Sequence, residues 1–383
     1  MHNFDRPVLD ETLPTEQRGA VVGQGQMLGG TNCPGIAVET FAMPPGMSIR
    51  YDQPANDLAD YITGYHVYCA DTRHRGQVDW FLPGAASIRI AIDAEPFSVS
   101  IARRTFDPVP QVSLFGPTSH ALRAVTNSGI LIGFGISALG WSRLIDQPAA
   151  AFRDRVAPLA TAVAGDFGPR LYAALQATDR EGQVAPVLDA LLREQLTPLH
   201  HPRGAACAQR DDALVRQLMA FIARDGSIEI GHIAATLGLE PHALRRLAVR
   251  HFGFPPKLLV RRARFLRSFL RILGPGHTID YGKLDQSYFD LPHFLRDANT
   301  FLGTTPRRFL ARSTPFLDAS LRARAAVLGA PTQALHDIDA PKPGQRKGAA
   351  SMARDPLYFG GDGHTPVPSP VTNAPAAQGS AGA

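Results

Sequence analysis

The chemistry of this sequence is concentrated in arginine. Between Ser227 and Gly253 the side chains of His242, Arg245, Arg246 and Arg250 recur at intervals that gather them on one side of a helix, away from Leu244, Leu247 and Ala248. A guanidinium on a rigid helix can donate two parallel hydrogen bonds to the edge of a guanine, and His242 can reach a base edge or a phosphate. A second stretch, Tyr288 to Phe309, carries Arg296 behind Leu291 and Pro292. Leu291 offers only apolar contact, such as a thymine methyl would accept. Catalytic groupings do not compete with this pattern. The chain has no nucleophile elbow, HExxH, P-loop or paired-acid motif. Ser119 and His120 are neighbours in the chain, which says little about geometry. His66, His74 and His120 have no carboxylates at metal-ligand spacing, and Gly133-Phe134-Gly135 lacks the rest of a dinucleotide fingerprint. The reading is a non-enzyme with no metal and no cofactor.

Placing these side chains requires helices and a turn. Ile230, Ile233, Ala234 and Leu237 are spaced for one helical face, and Gly238 ends that helix. Glu240-Pro241 starts the next, whose buried stripe is Leu244, Leu247 and Ala248. Two short helices joined by such a glycine turn form a helix-turn-helix. Beyond Gly253-Phe254-Pro255-Pro256, the run Lys257 to Ile272 has an apolar stripe of Leu259, Ala263, Leu266 and Leu270. Arg261, Arg264, Arg267 and Arg271 lie off the stripe. These arginines suit either phosphate tracking or a solvated spacer face.

In its second stretch the sequence resembles the AraC/XylS regulators, which repeat recognition helix, glycine and proline in two successive units. Here the second unit shows Phe289, Asp290, His293-Phe294, Arg296, Leu302-Gly303 and Pro306. Leu244, Arg246, Gly253 and Pro256 hold the equivalent places in the first. Arg246 and Arg296 lie 50 residues apart. The resemblance covers about 100 residues. It implies a DNA-binding transcription regulator whose first recognition helix reads through His242, Arg245 and Arg246, and whose second presents Leu291, Pro292 and Arg296. His293 and Phe294 look more like packing positions than readers. The resemblance further implies double-stranded DNA as partner, RNA polymerase if the protein activates, and an N-terminal domain that senses a small-molecule effector or drives homodimerisation. Three departures stand out. Ala248 and Ala298 replace the usual core phenylalanines, with Phe252 and Phe301 expected to fill the space. The helix expected before the second reader contains Gly282, and Ser287 replaces a glycine. Leu291 and Pro292 replace polar readers, so the second unit is expected to grip backbone more than bases. An interaction protein that has lost DNA reading is the alternative, with an enzyme in the β-rich half behind it.

The rest of the chain supplies the frame. Runs at 62–68, 87–92, 109–115 and 130–136 alternate with turn signals and read as strands of a small sandwich or barrel, and helical patterns follow at 138–145 and 186–195. Trp80, Phe81, Phe115, Phe134 and Trp141 are candidate pocket or, more simply, core residues. The expected fold class is α+β: a loosely ordered segment 1–55, a β-rich domain 56–200, a linker near 200–204, an all-α double helix-turn-helix domain 205–330, and a disordered tail 340–383. A helical stretch after Pro306 is expected to pack on the reader, with a dimer contact as its alternative. Formal charge is uneven. Arg203 to Arg324 holds 20 Lys plus Arg against 10 Asp plus Glu, while the whole chain carries +5. A basic helical half on a faintly acidic remainder suits one polyanionic partner. Three widely spaced cysteines (Cys33, Cys69, Cys207) fit a reducing cytoplasm, and neither a secretion signal nor a membrane span is read.

Overall fold

The computed structural model describes residues 29–178, 182–196, 205–223, 229–312 and 314–339. The expected linker at 200–204, the tail at 340–383 and most of segment 1–55 lie outside the described residues. The N-terminal half holds ten strands: β1 (Met47–Asp52), β2 (Ile62–Ala70), β3 (Gln77–Phe81), β4 (Ser87–Ile92), β5 (Ser98–Ile101), β6 (Arg104–Phe106), β7 (Val112–Phe115), β8 (Leu122–Thr126), β9 (Gly129–Ile136) and β10 (Val156–Pro158). All pairings are antiparallel. One sheet runs β1-β2-β9-β4-β7-β10, the other β3-β8-β5-β6. The alternation of β4 shows how sequence sets the layers. Ile88, Ile90 and Ile92 enter the large core beneath α1 (Ala138–Leu144), α2 (Phe167–Gln176) and α3 (Val184–Leu196), whereas Ser87 and Arg89 line the space toward the second sheet.

Order begins earlier than the sequence suggested. β1 pairs along its whole length with β2, and Gly30 bridges to Arg50, because Met47, Ile49 and Tyr51 alternate inward and are buried. Within the described part of segment 1–55, Gly30 and β1 are therefore built into the sheet, contrary to the expectation of loose order.

The second half is helical: α4 (Ala205–Ala223), α5 (Ile230–Thr236), α6 (Pro241–Phe252), α7 (Pro256–Ile272), α8 (Leu291–Leu302), α9 (Pro306–Leu310) and α10 (Pro315–Leu328). α10 is the surprise. It does not pack mainly on the reader, as its position after Pro306 suggested. Phe316, Ala319, Ala323, Val327 and Leu328 join Phe41, Met47, Ile49, Tyr51 and Tyr68 in one buried cluster. Its small residues on one face let the helix lie close against β1 and β3. Asp79 of β3, fully buried, accepts a hydrogen bond from Phe316 N at 3.0 Å and so satisfies an orphan donor of the first turn. The stretch 205–330 is thus not one packing unit, since its last helix completes the core of the β-domain.

A buried cation is among the ties between the two halves. Arg262 on α7 donates to the carbonyls of Thr118 (2.6 Å) and Gly84 (3.1 Å), and burial pushes its guanidinium down to about 10. Arg143–Asp212 and Arg216–Asp60 ion pairs fasten α4 to the β-domain, and Ala121 N donates to Phe301 O at 2.7 Å. Among the described residues no helix is long and apolar enough to cross a membrane.

Candidate nucleic-acid interface

The helical half is built twice, with a shift of 50 residues. α6 and α8 are both 12 residues long. Each follows an acidic N-cap, Glu240 and Asp290, and only Asp290 caps through its side chain, accepting from His293 N at 2.7 Å. Each ends on a glycine in the left-handed region, Gly253 at φ +82° and Gly303 at φ +71°. A side chain would strain both positions, so these glycines fix where each helix stops. Each glycine is followed by a proline at the first turn of the next helix, Pro256 and Pro306. Leu244 and Phe294, then Ala248 and Ala298, are the matched residues facing inward, all buried.

The side chains opposite those stripes are the candidate readers. His242, Arg245 and Arg246 are exposed on α6, and Arg250 is half-buried one turn on. On α8, Leu291, Pro292 and Arg296 are exposed. None of Arg245, Arg246, Arg250 and Arg296 has an ion-pair partner among the described residues. The sequence-derived site is therefore gathered as two exposed helix faces.

The connecting helix behaves otherwise. Its arginines are engaged within the protein, which departs from the phosphate-tracking reading, while Arg261 and Arg271 remain partly solvated as the spacer reading expected. Asp297 of α8, fully buried, accepts from Arg261 Nε at 2.6 Å, Arg264 Nη2 at 3.3 Å and the Tyr288 hydroxyl at 2.7 Å. Burial raises the Tyr288 hydroxyl well above its ordinary value, and the Asp297 carboxylate adds to the rise. Arg267 donates to the carbonyls of Ile222 (3.0 Å) and Ala223 (3.3 Å), and Arg271 pairs with Asp285. With these bonds α7, about 26 Å long at 1.5 Å per residue, is tied to both units. Lys257, Arg307 and Arg308, outside the expected set, are also exposed, at the first turns of α7 and α9. Lys257 and Arg307 are another pair at the 50-residue offset. That repeat is visible in the sequence, outside the recognition helices.

Three details of the sequence reading change. Phe301 does fill the space beside Ala298, stacking on Phe265 at 5.2 Å, but in the first unit the buried ring is Phe254, and Phe252 is half-buried and shared between that core and Ala138 and Leu139. The buried aromatic before the second reader is Tyr288, and Phe289 is 96% exposed. The helix expected over 279–287 is reduced to a 3-10 turn, Tyr281–Lys283, held by Asp280 accepting from Gly282 N at 2.9 Å.

The enzyme alternative has one cluster to test, Ser119, His120 and Asp154. Asp154 accepts from both the amide (2.7 Å) and the hydroxyl (2.9 Å) of Ser119. His120 Nδ1 sits 3.0 Å from the same hydroxyl and 3.8 Å from Asp154. A nucleophile must face the basic nitrogen opposite the one held by the acid. Here serine and acid crowd one nitrogen, and the serine proton is directed at the carboxylate. The cluster is a loop clasp. Among the described residues no group of three or more His, Cys, Asp or Glu is placed to hold a metal.

No protein-family model matches the chain, and no curated protein matches it. Among solved structures it is similar to ToxT from Vibrio cholerae, at 9% identity over 65% of this chain and 98% of that one, with a TM-score of 0.35. ToxT from Vibrio cholerae O395 gives 9% identity, 64% and 96% coverage and a TM-score of 0.35. The AraC-like transcriptional activator CuxR gives 13% identity, 61% and 83% coverage and a TM-score of 0.20. Likenesses this distant carry no argument about what the chain does, and the functional reading rests on its own geometry.

Proposed function

We propose that this protein is a sequence-specific DNA-binding transcription regulator with an effector-sensing β-domain. α6 enters a major groove and reads bases through His242, Arg245 and Arg246, with Arg250 nearer the backbone. α8 occupies a second groove face, where Arg296 is its polar reader and Leu291 and Pro292 contribute apolar contact. Lys257, Arg307 and Arg308 supply phosphate contacts, which set position and salt dependence without carrying sequence information. The observation that carries the reading is the partition of arginines. The connector's Arg261, Arg264, Arg267 and Arg271 have partners within the protein, while Arg245, Arg246 and Arg296 on the two repeated recognition helices are exposed and have no ion-pair partner among the described residues. A protein that used these helices only for packing would have no reason to leave that set open.

The test is titration of the full-length protein against fluorescein-labelled DNA from upstream of its own operon, followed by anisotropy over a range of salt. Affinity should fall steeply as salt rises. Arg246→Ala should cost about 1–3 kcal/mol and relax preference at one base pair. Arg307→Ala should weaken all sequences alike and lower the salt slope by about one. Binding that never exceeds that of random duplex would refute the proposal.

A further inference from the structure

Two arginines facing the inter-sheet space, buried Arg324 and half-buried Arg89, meet no acid among the described residues. Arg324, on α10, is 7% exposed, and its Nε and Nη2 are buried without a hydrogen-bond partner. Arg89, on β4, has a buried Nε in the same state, and its guanidinium lies 4.2 Å from the Phe115 ring centroid. Both side chains line a cavity of about 100 Å³ between the two sheets, roofed by α10 through Leu317, Ser320 and Leu321. No Asp or Glu lines it. Its other polar groups are neutral: Tyr51 and Tyr68 share a hydrogen bond of 2.6 Å, and Tyr68 meets Ser320 Oγ at 3.1 Å. Behind them His66 is held neutral by burial and then by the two guanidiniums.

Arg262 and Arg264 also leave Nε buried and unpartnered, but their other N–H groups are answered, Arg262 by two carbonyls and Arg264 by Asp297, whereas among the described residues no hydrogen bond reaches either guanidinium of Arg89 and Arg324. Burying a cation without a partner is costly, and a fold that retains two side by side leaves room for an anion. Aromatic rings cover the guanidinium faces, Phe115 over Arg89 and Tyr51 over Arg324, so the unused valence is the N–H edges, the part that recognises a carboxylate. A second cavity of about 50 Å³ shares Tyr68, Phe81 and Arg89 with the first and is lined by Phe97, Val99, Ile130 and Leu131, with Asn127 and with Glu95, whose carboxylate is paired to Arg75. Arg89 thus stands on the wall between the cationic cavity and a neighbouring, mostly apolar one. For scale, a cavity of roughly 150 Å³ holds a benzene molecule.

We infer that the inter-sheet cavity binds a small organic carboxylate, its charged end on Arg89 and Arg324 and its short hydrocarbon body among Phe81, Phe97 and Val99. The ligand bridges β4 to α10, the helix that directly follows the second reading unit. This names the ligand class of the proposed sensing domain and rests on that reading only for its link to DNA, because the binding itself is measured without DNA.

The experiment uses the full-length protein, thermal unfolding and isothermal calorimetry, with sodium hexanoate, hexanamide and inorganic phosphate as probes. Hexanoate should raise the unfolding temperature in a concentration-dependent way. Hexanamide, with the same body and no charge, and phosphate, with charge and no body, should each do less. Arg89→Met and Arg324→Met should each weaken hexanoate binding about tenfold or more, while the ligand-free variants unfold no lower than the parent. If a Met variant fails to fold, Arg324→Lys and Arg89→Lys keep the charge and should retain measurable hexanoate binding below that of the parent. Equal effects of hexanoate and hexanamide, no effect of hexanoate, or unchanged affinity in the Met or Lys variants would overturn the site. Phosphate matching hexanoate would overturn the ligand class. Hexanoate binding in a protein that shows no DNA preference leaves the site standing and sinks only the regulator reading.

Discussion

Removing the Asp297 carboxylate should break the coupling between the two reading units. Three donors converge on it, at 2.6, 2.7 and 3.3 Å, and the carboxylate itself is fully buried. In Asp297→Ala the fates of the donors differ. Arg261 is 37% exposed and recovers water at small cost, whereas Arg264 at 16% and the buried Tyr288 hydroxyl do not. An orphaned buried hydroxyl costs about 1–3 kcal/mol, and breaking a buried ion pair from one side costs about 3–5 kcal/mol. Because Arg264 keeps some contact with water, the expected total is about 3–4 kcal/mol, a large fraction of a typical domain's stability of about 5–15 kcal/mol. Urea unfolding of the full-length protein, with m-values compared, measures it. Tyr288→Phe, which removes one donor and leaves the ion pairs, should cost only about 1 kcal/mol. The double variant Asp297→Leu with Arg264→Met should recover much of the loss, since no buried charge is left uncompensated. A loss in Asp297→Ala under about 1 kcal/mol would mean that these pairs behave as surface ion pairs, and the account of α7 as a rigid tie would be wrong.

Other outcomes follow from the same geometry. Burial raises the Asp79 carboxyl from 3.8 to about 6, so its contribution to stability is fully present below about pH 3.8 and is lost as pH rises through about 6. Asp79→Asn keeps an acceptor for Phe316 N and should stabilise the protein above pH 6 by at most about 3 kcal/mol, with little effect at pH 4; equal effects at both pH values would contradict it. The paired glycines give an internal comparison. A Cβ at Gly303 meets nothing within 4 Å, whereas at Gly253 it would meet Pro117 Cγ at 2.6 Å. Gly303→Ala should cost about 1–2 kcal/mol for the backbone alone, and Gly253→Ala about 1–3 kcal/mol more, read from unfolding midpoints. Arg262→Met strands the carbonyls of Gly84 and Thr118 and should loosen the contact between the halves, seen as faster amide exchange in α7 and around residues 84 and 118.

Local rules made much of this legible. Strand β4 was expected at 87–92 and is found there, because its isoleucines alternate against polar neighbours and turns bound it. α1 and α3 were expected to within two residues, and α6 was readable from Pro241 and Gly253. The exposure of His242, Arg245, Arg246 and Arg296 followed from the apolar stripes opposite them. What sequence concealed was partnership over distance. Nothing in the run Lys257 to Ile272 says that Arg261 and Arg264 will find Asp297 more than thirty residues on. Nothing local tells that Arg262, one position around the helix, will enter the other half and bind Gly84 and Thr118. Strand β1 was missed because its neighbourhood is rich in glycine and proline, and its pairing with β2 outweighs that composition. α10 was misplaced for the opposite reason: its helical pattern is clear, but one apolar face fits a sheet as well as it fits another helix.

The return of α10 to the sheets also bears on how the chain is made. β9 ends at Ile136 and α10 at Leu328, so the β-domain's core stays open while roughly 190 further residues are synthesised, about 10–40 s at typical elongation rates. During that interval Tyr51, Tyr68 and the inner surface of β1 lack their helical cover, while both reading units can fold behind them. A chain halted after α9 would hold a finished reader on an unfinished partner. The last α-helix among the described residues is the one that joins them.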